Sequence, residues 1–366
     1  MRYLLLGATG DLARKKILPA LARLATADTE LEVVASSRRP WGDAEYGAFV
    51  RPALVAAGVA EPDAFLARVR YAPADHTEPA SLKALAREVA PQSLIHLSIQ
   101  PSAYAPVIEA LGETGALGRD GVKLLIEKPF GRDEASARAL DALITRYLPE
   151  ERLYRIDHYL GKESVRALEG ALAGEALTGV SVTLAETLDA QGRGAFYDET
   201  GVIRDVVQNH ALEVLAASLA EGAGPEARLA ALEKLSLAGP LETGVRLGQY
   251  QGYRETPGVA PDSKTPTAVE LALSYASAAG PIPVTIYAGK ALAEARQELV
   301  AETPPGPRAF SLAGDHAYDR LIREAAEGDR THFPSLAEVL AAWQLLDPVL
   351  APPTPSLAIY EPGSDF

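Results

Sequence analysis

The 366-residue sequence contains no cysteine, one methionine and one asparagine, Asn209. The lack of cysteine excludes disulfide bonds, a thiolate nucleophile, cysteine-ligated zinc and iron–sulfur clusters. No apolar run reaches the length of about 18 residues that a transmembrane helix needs. The depletion of thermolabile side chains is typical of heat adaptation or of a GC-rich genome, and composition does not separate the two.

Cationic side chains are outnumbered, since 35 Lys and Arg oppose 49 Asp and Glu and the net charge is −14. This balance argues against nucleic acid or an anionic membrane as the main partner. It leaves room for a local cationic pocket that binds a phosphorylated small molecule. The apolar start of the chain is too short for a secretory signal, so a cytoplasmic protein is expected.

The pattern of hydrophobic segments changes near residue 150. Before it, strands alternate with helices, which predicts βαβ units and a parallel sheet. After it, strands are predicted at 180–186, 269–276 and 283–287, with a long helix over 198–219. We therefore expect an α/β fold, with a doubly wound Rossmann domain over 1–150 and an α+β substrate-binding and catalytic domain over 151–366.

Residues 297–309 contain three prolines and one glycine. We expect that this composition cannot form a central strand pair, so that the second sheet is reduced in size. The second sheet is also expected to be mainly antiparallel.

A glycine-containing turn follows the first predicted strand. Its sequence, Gly7-Ala8-Thr9-Gly10-Asp11-Leu12-Ala13, is a Gly-x-x-Gly-x-x-Ala variant of the dinucleotide fingerprint. Glycines let the backbone approach a pyrophosphate, whose charge is stabilised at a helix N-terminus. The strand–turn–helix context favours dinucleotide binding over a plain tight turn.

The second predicted strand ends in Ser36-Ser37-Arg38-Arg39. An NAD-specific site would have an acidic residue here for the ribose hydroxyls, whereas cations suit the 2′-phosphate of NADP. A solvated basic loop is the alternative, and NADP is preferred over NAD.

A lysine closes a later strand in Glu127-Lys128-Pro129. Because the carboxyl ends of parallel strands line the ligand crevice, Lys128 is placed to meet a substrate oxygen. The alternative is an exposed loop with an ion pair.

Residues 155–163 place Asp157, His158, Tyr159 and Lys162 within six positions. The last three offer hydrogen-bond donors of mixed geometry for a phosphate. The isolated histidines are interpreted as structural: His76, His96, His316 and His332.

Residues 204–210 place Asp205, Asn209 and His210 inside an otherwise apolar helix. Burying so many polar groups is costly unless they line a site. A histidine suits the removal of an alcohol proton near neutral pH, and a carboxylate such as Asp157 would orient it.

Several motifs occur in the order found in one enzyme family. They are 7–16 (GATGDLARKK), 127–131 (EKPFG), 155–163 (RIDHYLGKE), 192–194 (GRG), 197–198 (YD), 204–210 (RDVVQNH), 247–252 (LGQYQG), 289–292 (GKAL), 328–333 (GDRTHF) and 360–364 (YEPGS). The chain resembles the glucose-6-phosphate dehydrogenase family, of which it would be a shortened member.

The resemblance implies oxidation of C1 of glucose 6-phosphate with NADP, in the oxidative pentose phosphate pathway, by a possible homodimer. His210 would be the base, assisted by Asp157. The implied substrate-binding residues are Lys128, His158, Tyr159, Lys162, Glu186, Asp205 and Lys290. The implied cofactor-binding residues are Gly7, Thr9, Gly10, Asp11, Leu12, Arg38 and Lys128, and no metal is implied.

Two other functions stay open at this point. One is a dehydrogenase for another sugar or sugar phosphate. The other is a trimmed, non-catalytic NADP-binding relative, against which the intact His210, Asp157 and Lys162 argue.

Overall fold

The computed structural model describes residues 1–314, 316–351 and 355–366. Its strands are β1 Arg2–Leu6, β2 Glu32–Ser36, β3 Val69–Tyr71, β4 Leu94–Leu97, β5 Lys123–Glu127, β6 Leu153–Ile156, β7 Gly179–Ala185, β8 Leu235–Leu237, β9 Val245–Tyr250, β10 Ala268–Ser277, β11 Gly280–Gly289, β12 Arg296–Glu302, β13 Arg308–Ser311 and β14 Leu357–Tyr360.

The α-helices alternate with these strands mainly in the first half of the chain. They are α1 Leu18–Leu24, α2 Asp43–Ala56, α3 Pro62–Leu66, α4 Pro79–Leu85, α5 Tyr104–Glu113, α6 Glu134–Thr145, α7 Glu163–Arg166, α8 Gly194–Val202, α9 Leu212–Leu219, α10 Pro225–Leu232, α11 Leu241–Gly244, α12 Ala317–Glu327 and α13 Leu336–Leu350. Two π-helices cover Ala13–Ile17 and Ile203–Ala211. None of the helices described is long and apolar enough to cross a bilayer.

The described chain forms two compact units. The first comprises 1–130, 138–161 and 316–334, and the second comprises 131–137, 162–314, 335–351 and 355–366.

The first unit contains a parallel sheet with strand order β3-β2-β1-β4-β5-β6. The central strands are apolar on both faces, since Leu4, Leu5 and Leu6 of β1 are fully buried. Such continuous apolar strands need helices on both sides. The predicted α/β doubly wound architecture is thereby confirmed.

The second unit contains a mixed sheet with order β13-β12-β7-β11-β10-β9-β14, and β8 pairs with β10. The described pairs are antiparallel except β7 with β11 and β9 with β14. The mainly antiparallel character expected from the sequence is confirmed, and the predicted strands correspond to β7, β10 and β11.

The expectation for residues 297–309 is wrong. Strand β12 pairs with β7 on one side and with β13 on the other, so this segment does form a strand pair. The prolines and the glycine are confined to positions 304–307, which form the turn. Residues 296–302 lack proline, and their buried positions Leu299 and Ala301 alternate with more exposed ones, as a strand requires.

Candidate active site

The predicted residues of the first unit lie at one edge of its sheet. Gly7 follows β1, Arg38 follows β2, Lys128 follows β5 and Asp157 follows β6. Because these strands are parallel, their carboxyl ends meet at this edge, where open α/β sheets bind ligands.

The turn after β1 is shaped by a close backbone approach. The N–H groups of Gly7 and Ala8 donate to the carbonyl oxygen of Ser36 at 2.9 and 3.0 Å. Gly7 has φ +81°, and a Cβ there would lie 2.0 Å from the carbonyl oxygen of Ser98. Only glycine fits this position. Thr9 and Leu12 are half-buried, and Gly10 is exposed. The backbone of the turn is therefore accessible to an anion such as the pyrophosphate of a dinucleotide.

The side chain of Asp11 is held by its own helix. Its carboxylate accepts hydrogen bonds from Arg14 Nη2 and Lys15 Nζ, both at 3.0 Å. The hydrogen bonds from Lys15 and Arg14 lower the pKa of Asp11. Asp11 can therefore serve the cofactor through its backbone while its carboxylate stays paired.

Arg38 and Arg39 have different surroundings. The Arg39 guanidinium stacks on Trp41 and Phe49, with its Cζ 4.6 and 5.5 Å from the ring centroids. Arg38 is exposed and has no hydrogen bond with a described residue. Arg38 is therefore better placed than Arg39 to pair with an anionic group of a ligand, such as a 2′-phosphate.

His76 contacts the strand end that precedes this basic segment. Its Nε2 is 3.3 Å from the hydroxyl of Ser36, the last residue of β2. Burial lowers the pKa of His76 to about 4, with Asp75 raising it and Arg38 lowering it to lesser extents. The imidazole is thus neutral at neutral pH.

Asp157 and Tyr159 belong to a tight turn after β6. The buried Asp157 accepts a hydrogen bond at Oδ1 from the Tyr159 N–H at 2.9 Å. His158 is half-buried, and its ring packs edge-on against Tyr159 at 5.1 Å. Lys128 is also half-buried, and its peptide bond to Pro129 is cis.

In the second unit, the residues predicted as an ordinary helix include a π-helix, Ile203–Ala211. Its hydrogen bonds link residues five apart, so Asp205 and His210 lie on successive turns. The side-chain amide of Asn209 donates to the Arg204 carbonyl at 2.9 Å and accepts from the His210 N–H at 2.8 Å. The single asparagine thus fixes the backbone that bears His210.

The helix that continues from His210 is anchored by a buried arginine. Arg228 on α10 donates to Glu338 on α13 at 2.7 Å and lies 3.5 Å from Glu213 on α9. All three side chains are at most 5% exposed. Such an ion cluster costs desolvation energy but fixes the helices in one arrangement.

Glu186 and Lys290 form an ion pair. Glu186 follows β7 and Lys290 follows β11, and the parallel register places Ala185 opposite Gly289. The Lys290 Nζ is 2.6 Å from Glu186 Oε2. The Tyr360 hydroxyl donates to the Lys290 carbonyl oxygen at 2.7 Å, which fixes the strand end.

Tyr197 packs against this pair and was given no role by sequence reasoning, although it lies in a matched motif. The Lys290 Nζ is 5.3 Å from the centre of the Tyr197 ring. The Tyr197 hydroxyl is buried and has no hydrogen-bond partner among the described residues. Burial, followed by the charges of Asp205 and Glu186, raises the pKa of Tyr197.

Lys162 is directed towards the end of the β12–β13 hairpin. Its Nζ donates to Gln297 Oε1 at 3.2 Å and to the Leu312 carbonyl oxygen at 3.0 Å. These two hydrogen bonds orient the ammonium group. Sequence reasoning missed Gln297, because its segment was expected to lack strands.

Two family models match this chain. The glucose-6-phosphate dehydrogenase NAD binding domain matches residues 4–167, and the glucose-6-phosphate dehydrogenase C-terminal domain matches residues 166–310. Among curated relatives, the cytoplasmic glucose-6-phosphate 1-dehydrogenase 6 of Arabidopsis thaliana is 28% identical over 440 residues, covering 96% of this chain and 85% of the relative.

Solved structures agree with these matches. Glucose-6-phosphate 1-dehydrogenase from Mycobacterium avium has a TM-score of 0.85 at 29% identity, covering 99% of this chain and 94% of that chain. A glucose-6-phosphate dehydrogenase in complex with glucose 6-phosphate also has a TM-score of 0.85, at 26% identity, covering 100% of this chain and 95% of that chain. The resemblance seen in the sequence is confirmed: the chain belongs to the glucose-6-phosphate dehydrogenase family.

Proposed function

We propose that this chain oxidises the C1 hydroxyl of glucose 6-phosphate to 6-phosphogluconolactone with NADP. The observation that carries the proposal is the match of both halves of the chain to the family. The relatives' names and the substrate-bound neighbour support glucose-6-phosphate 1-dehydrogenase activity. Neither a different sugar substrate nor a non-catalytic role is favoured.

His210 is the proposed general base, which takes the proton from the C1 hydroxyl. The π-helix and Asn209 fix its backbone, so that the imidazole can be held in one orientation. Asp157 is proposed as the carboxylate that orients the imidazole and stabilises the imidazolium.

The 6-phosphate is proposed to bind to His158, Tyr159 and Lys162, with help from Lys290. These groups supply imidazole, phenol and ammonium donors, which suit a phosphate dianion. Two hydrogen bonds of Lys162 go to the neutral oxygens of Gln297 and Leu312, which orient its ammonium group at the end of the β12–β13 hairpin.

The sugar hydroxyls are proposed to bind to Lys128, Glu186 and Asp205. Glu186 combines the firm pairing to Lys290 with a side chain that is 40% exposed. A carboxylate oriented in this way can accept hydrogen bonds from hydroxyl groups at a fixed position.

NADP is proposed to lie along the turn formed by Gly7, Thr9, Gly10, Asp11 and Leu12, with Arg38 at the 2′-phosphate and Lys128 near the reacting centre. When bound, NADP supplies the group that accepts hydride from C1. The protein contributes the base and the groups that orient the sugar.

Three further expectations belong to this proposal. Residues 1–150 would hold the dinucleotide, and residues 151–366 would bind the sugar and supply the base. A homodimer is proposed from the resemblance. A cytoplasmic location is proposed from the sequence and from relatives named as cytoplasmic enzymes.

The experiment is an assay of the purified chain with glucose 6-phosphate and NADP, in which the formation of reduced nicotinamide is measured. Free glucose, other hexose phosphates and NAD are tested in parallel. Reduction that depends on glucose 6-phosphate and prefers NADP supports the proposal. Preference for a free sugar would contradict the phosphate site, and NADP binding without turnover of any sugar would indicate a non-catalytic role.

A further inference from the structure

A row of buried polar side chains crosses one face of the parallel sheet. The register pairs Leu5 of β1 with His96 of β4, and His96 with Leu125 of β5. Tyr3 and Glu127 each lie two residues from one of these partners, so they share the face of His96. The Tyr3 hydroxyl is 2.5 Å from His96 Nδ1, and His96 Nε2 is 2.8 Å from Glu127 Oε1.

Two more tyrosines complete the environment of Glu127. The Tyr318 hydroxyl donates to Glu127 Oε2 at 3.1 Å, and the Tyr104 hydroxyl donates to the Glu127 carbonyl oxygen at 2.7 Å. Both carboxylate oxygens and the carbonyl oxygen are therefore engaged. The residues that form this Glu127 network are at most 7% exposed: Tyr3, His96, Tyr104, Glu127 and Tyr318.

The hydrogen bonds define one consistent assignment of protons. The Tyr3 hydroxyl donates to Nδ1 of a neutral His96, the His96 Nε2–H donates to one oxygen of an ionised Glu127, and the Tyr318 hydroxyl donates to the other. Each donor then has an acceptor. A protonated His96 would turn Nδ1 into a donor facing the Tyr3 hydroxyl, whose proton would need another acceptor.

The Glu127 carboxylate is thus buried among neutral donors. Among the described residues it has no ion pair with lysine or arginine. Burial raises the pKa values of Tyr3, Tyr104 and Tyr318, and the charge of Glu127 raises them further, which keeps these hydroxyls as donors. Losing the Tyr318 hydroxyl would leave one oxygen of the buried carboxylate without its hydrogen bond, and losing the Tyr104 hydroxyl would do the same to the Glu127 carbonyl oxygen.

Glu127 is covalently joined to Lys128, the residue proposed to contact both the sugar and the cofactor. Its side chain and its carbonyl oxygen are both fixed, so the backbone from which Lys128 extends has little freedom to shift. A displacement of about 1 Å in such a positioning group can cost a hundredfold in rate.

We propose that His96, Tyr3 and Tyr318 are positioning residues that fix Glu127 and thereby set the position of Lys128 towards sugar and cofactor. This inference rests on the proposed function of Lys128. It gives a functional role to His96, which sequence reasoning interpreted as structural.

A double-mutant cycle between Tyr318 and Lys128, measured through ligand affinity, tests the inference. Calorimetric titrations measure the dissociation constants of glucose 6-phosphate and of NADP for wild type, Tyr318→Phe, Lys128→Met and the double variant. We expect Tyr318→Phe to weaken binding of at least one ligand about tenfold, and to have no further effect once Lys128 is replaced.

Two matched variants complete the design. His96→Gln retains one donor and one acceptor in the imidazole's place, whereas His96→Leu retains neither. We expect Gln to restore most of the binding that Leu loses. Tyr154→Phe alters a buried tyrosine of the same unit outside the Glu127 network, and should leave both dissociation constants unchanged.

The outcomes separate this inference from the proposed function. Equal losses from Tyr318→Phe with and without Lys128 would overturn the positioning role, as would unchanged binding of both ligands in Tyr318→Phe. A wild-type protein that binds NADP but not glucose 6-phosphate would contradict the proposed function, and the NADP titrations would still decide the role of the Glu127 network.

Discussion

Lys290 and Glu186 are 104 residues apart in the chain, yet their charged atoms lie 2.6 Å from each other. The parallel pairing of β7 with β11 places both residues just beyond the same end of the sheet. The ammonium group is nearly buried while the carboxylate is partly exposed. The pair therefore leaves one anchored carboxylate partly open to solvent.

Replacement of Glu186 by glutamine tests this arrangement. The variant keeps the size of the side chain but removes the charge that holds Lys290. We expect KM for glucose 6-phosphate to rise about tenfold, because a contact present throughout the reaction is lost. Glu270→Gln is the control, since Glu270 pairs with Arg246 on the exposed part of the same sheet. Equal effects of the two substitutions would refute the specific role.

His210→Asn should lower kcat by about a hundredfold or more, the usual scale for loss of a general base. The dissociation constant of NADP should change little. His316→Asn is a suitable control, because His316 is exposed and its φ of +60° is a conformation that asparagine tolerates. Near-normal turnover of the His210 variant would eliminate it as the base.

Arg38→Ala should weaken NADP binding about tenfold or more while affecting NAD much less, because only NADP offers a 2′-phosphate for a charge-assisted hydrogen bond. Arg39→Ala is the comparison, since Arg39 packs on Trp41 and Phe49. It should change the affinities of the two dinucleotides by similar factors. If wild type and Arg38→Ala prefer NADP over NAD by the same factor, Arg38 does not bind the 2′-phosphate.

Tyr197→Phe should raise the free energy of unfolding by about 1 kcal/mol, since it removes a buried hydroxyl that has no hydrogen-bond partner among the described residues. The ring beside Lys290 remains. Chemical denaturation of the two proteins measures the difference. A less stable variant would mean that the hydroxyl is hydrogen-bonded in solution.

His76 should make stability depend on pH. Its pKa is about 4 in the folded protein and about 6.5 in the unfolded chain. The unfolded state therefore binds more protons between these values, so stability falls as the pH drops from about 6.5 to about 4. His76→Gln should flatten this part of the stability profile, whereas His316→Gln should not. Identical profiles for wild type and His76→Gln would contradict the assignment.

The dinucleotide turn and the parallel sheet were predictable because their signals are local. Gly7 and Gly10 follow an apolar strand within a few residues, and the required backbone geometry admits little else. The group around His158 could be proposed for the same reason, since its members are close in sequence, and its role in phosphate binding stays a prediction.

The hairpin at 296–311 and the Glu186–Lys290 pair could not be predicted in the same way. The hairpin was obscured because prolines clustered at 304–307 dominated the composition of a longer window. The ion pair depends on the register of two strands far apart in sequence. The Tyr197 hydroxyl, which has no partner in the described part of the chain, likewise follows from packing and not from a local sequence pattern.

The single asparagine bears on the chemical lifetime of the protein. Asparagine is lost through attack of the following backbone nitrogen on its own side chain, which requires a flexible backbone. At Asn209 that nitrogen belongs to His210, and the π-helix holds both residues in place. Hydrolysis would put a carboxylate beside the proposed base. We therefore expect slow inactivation at high temperature to follow local unfolding of this helix rather than the intrinsic reactivity of the amide.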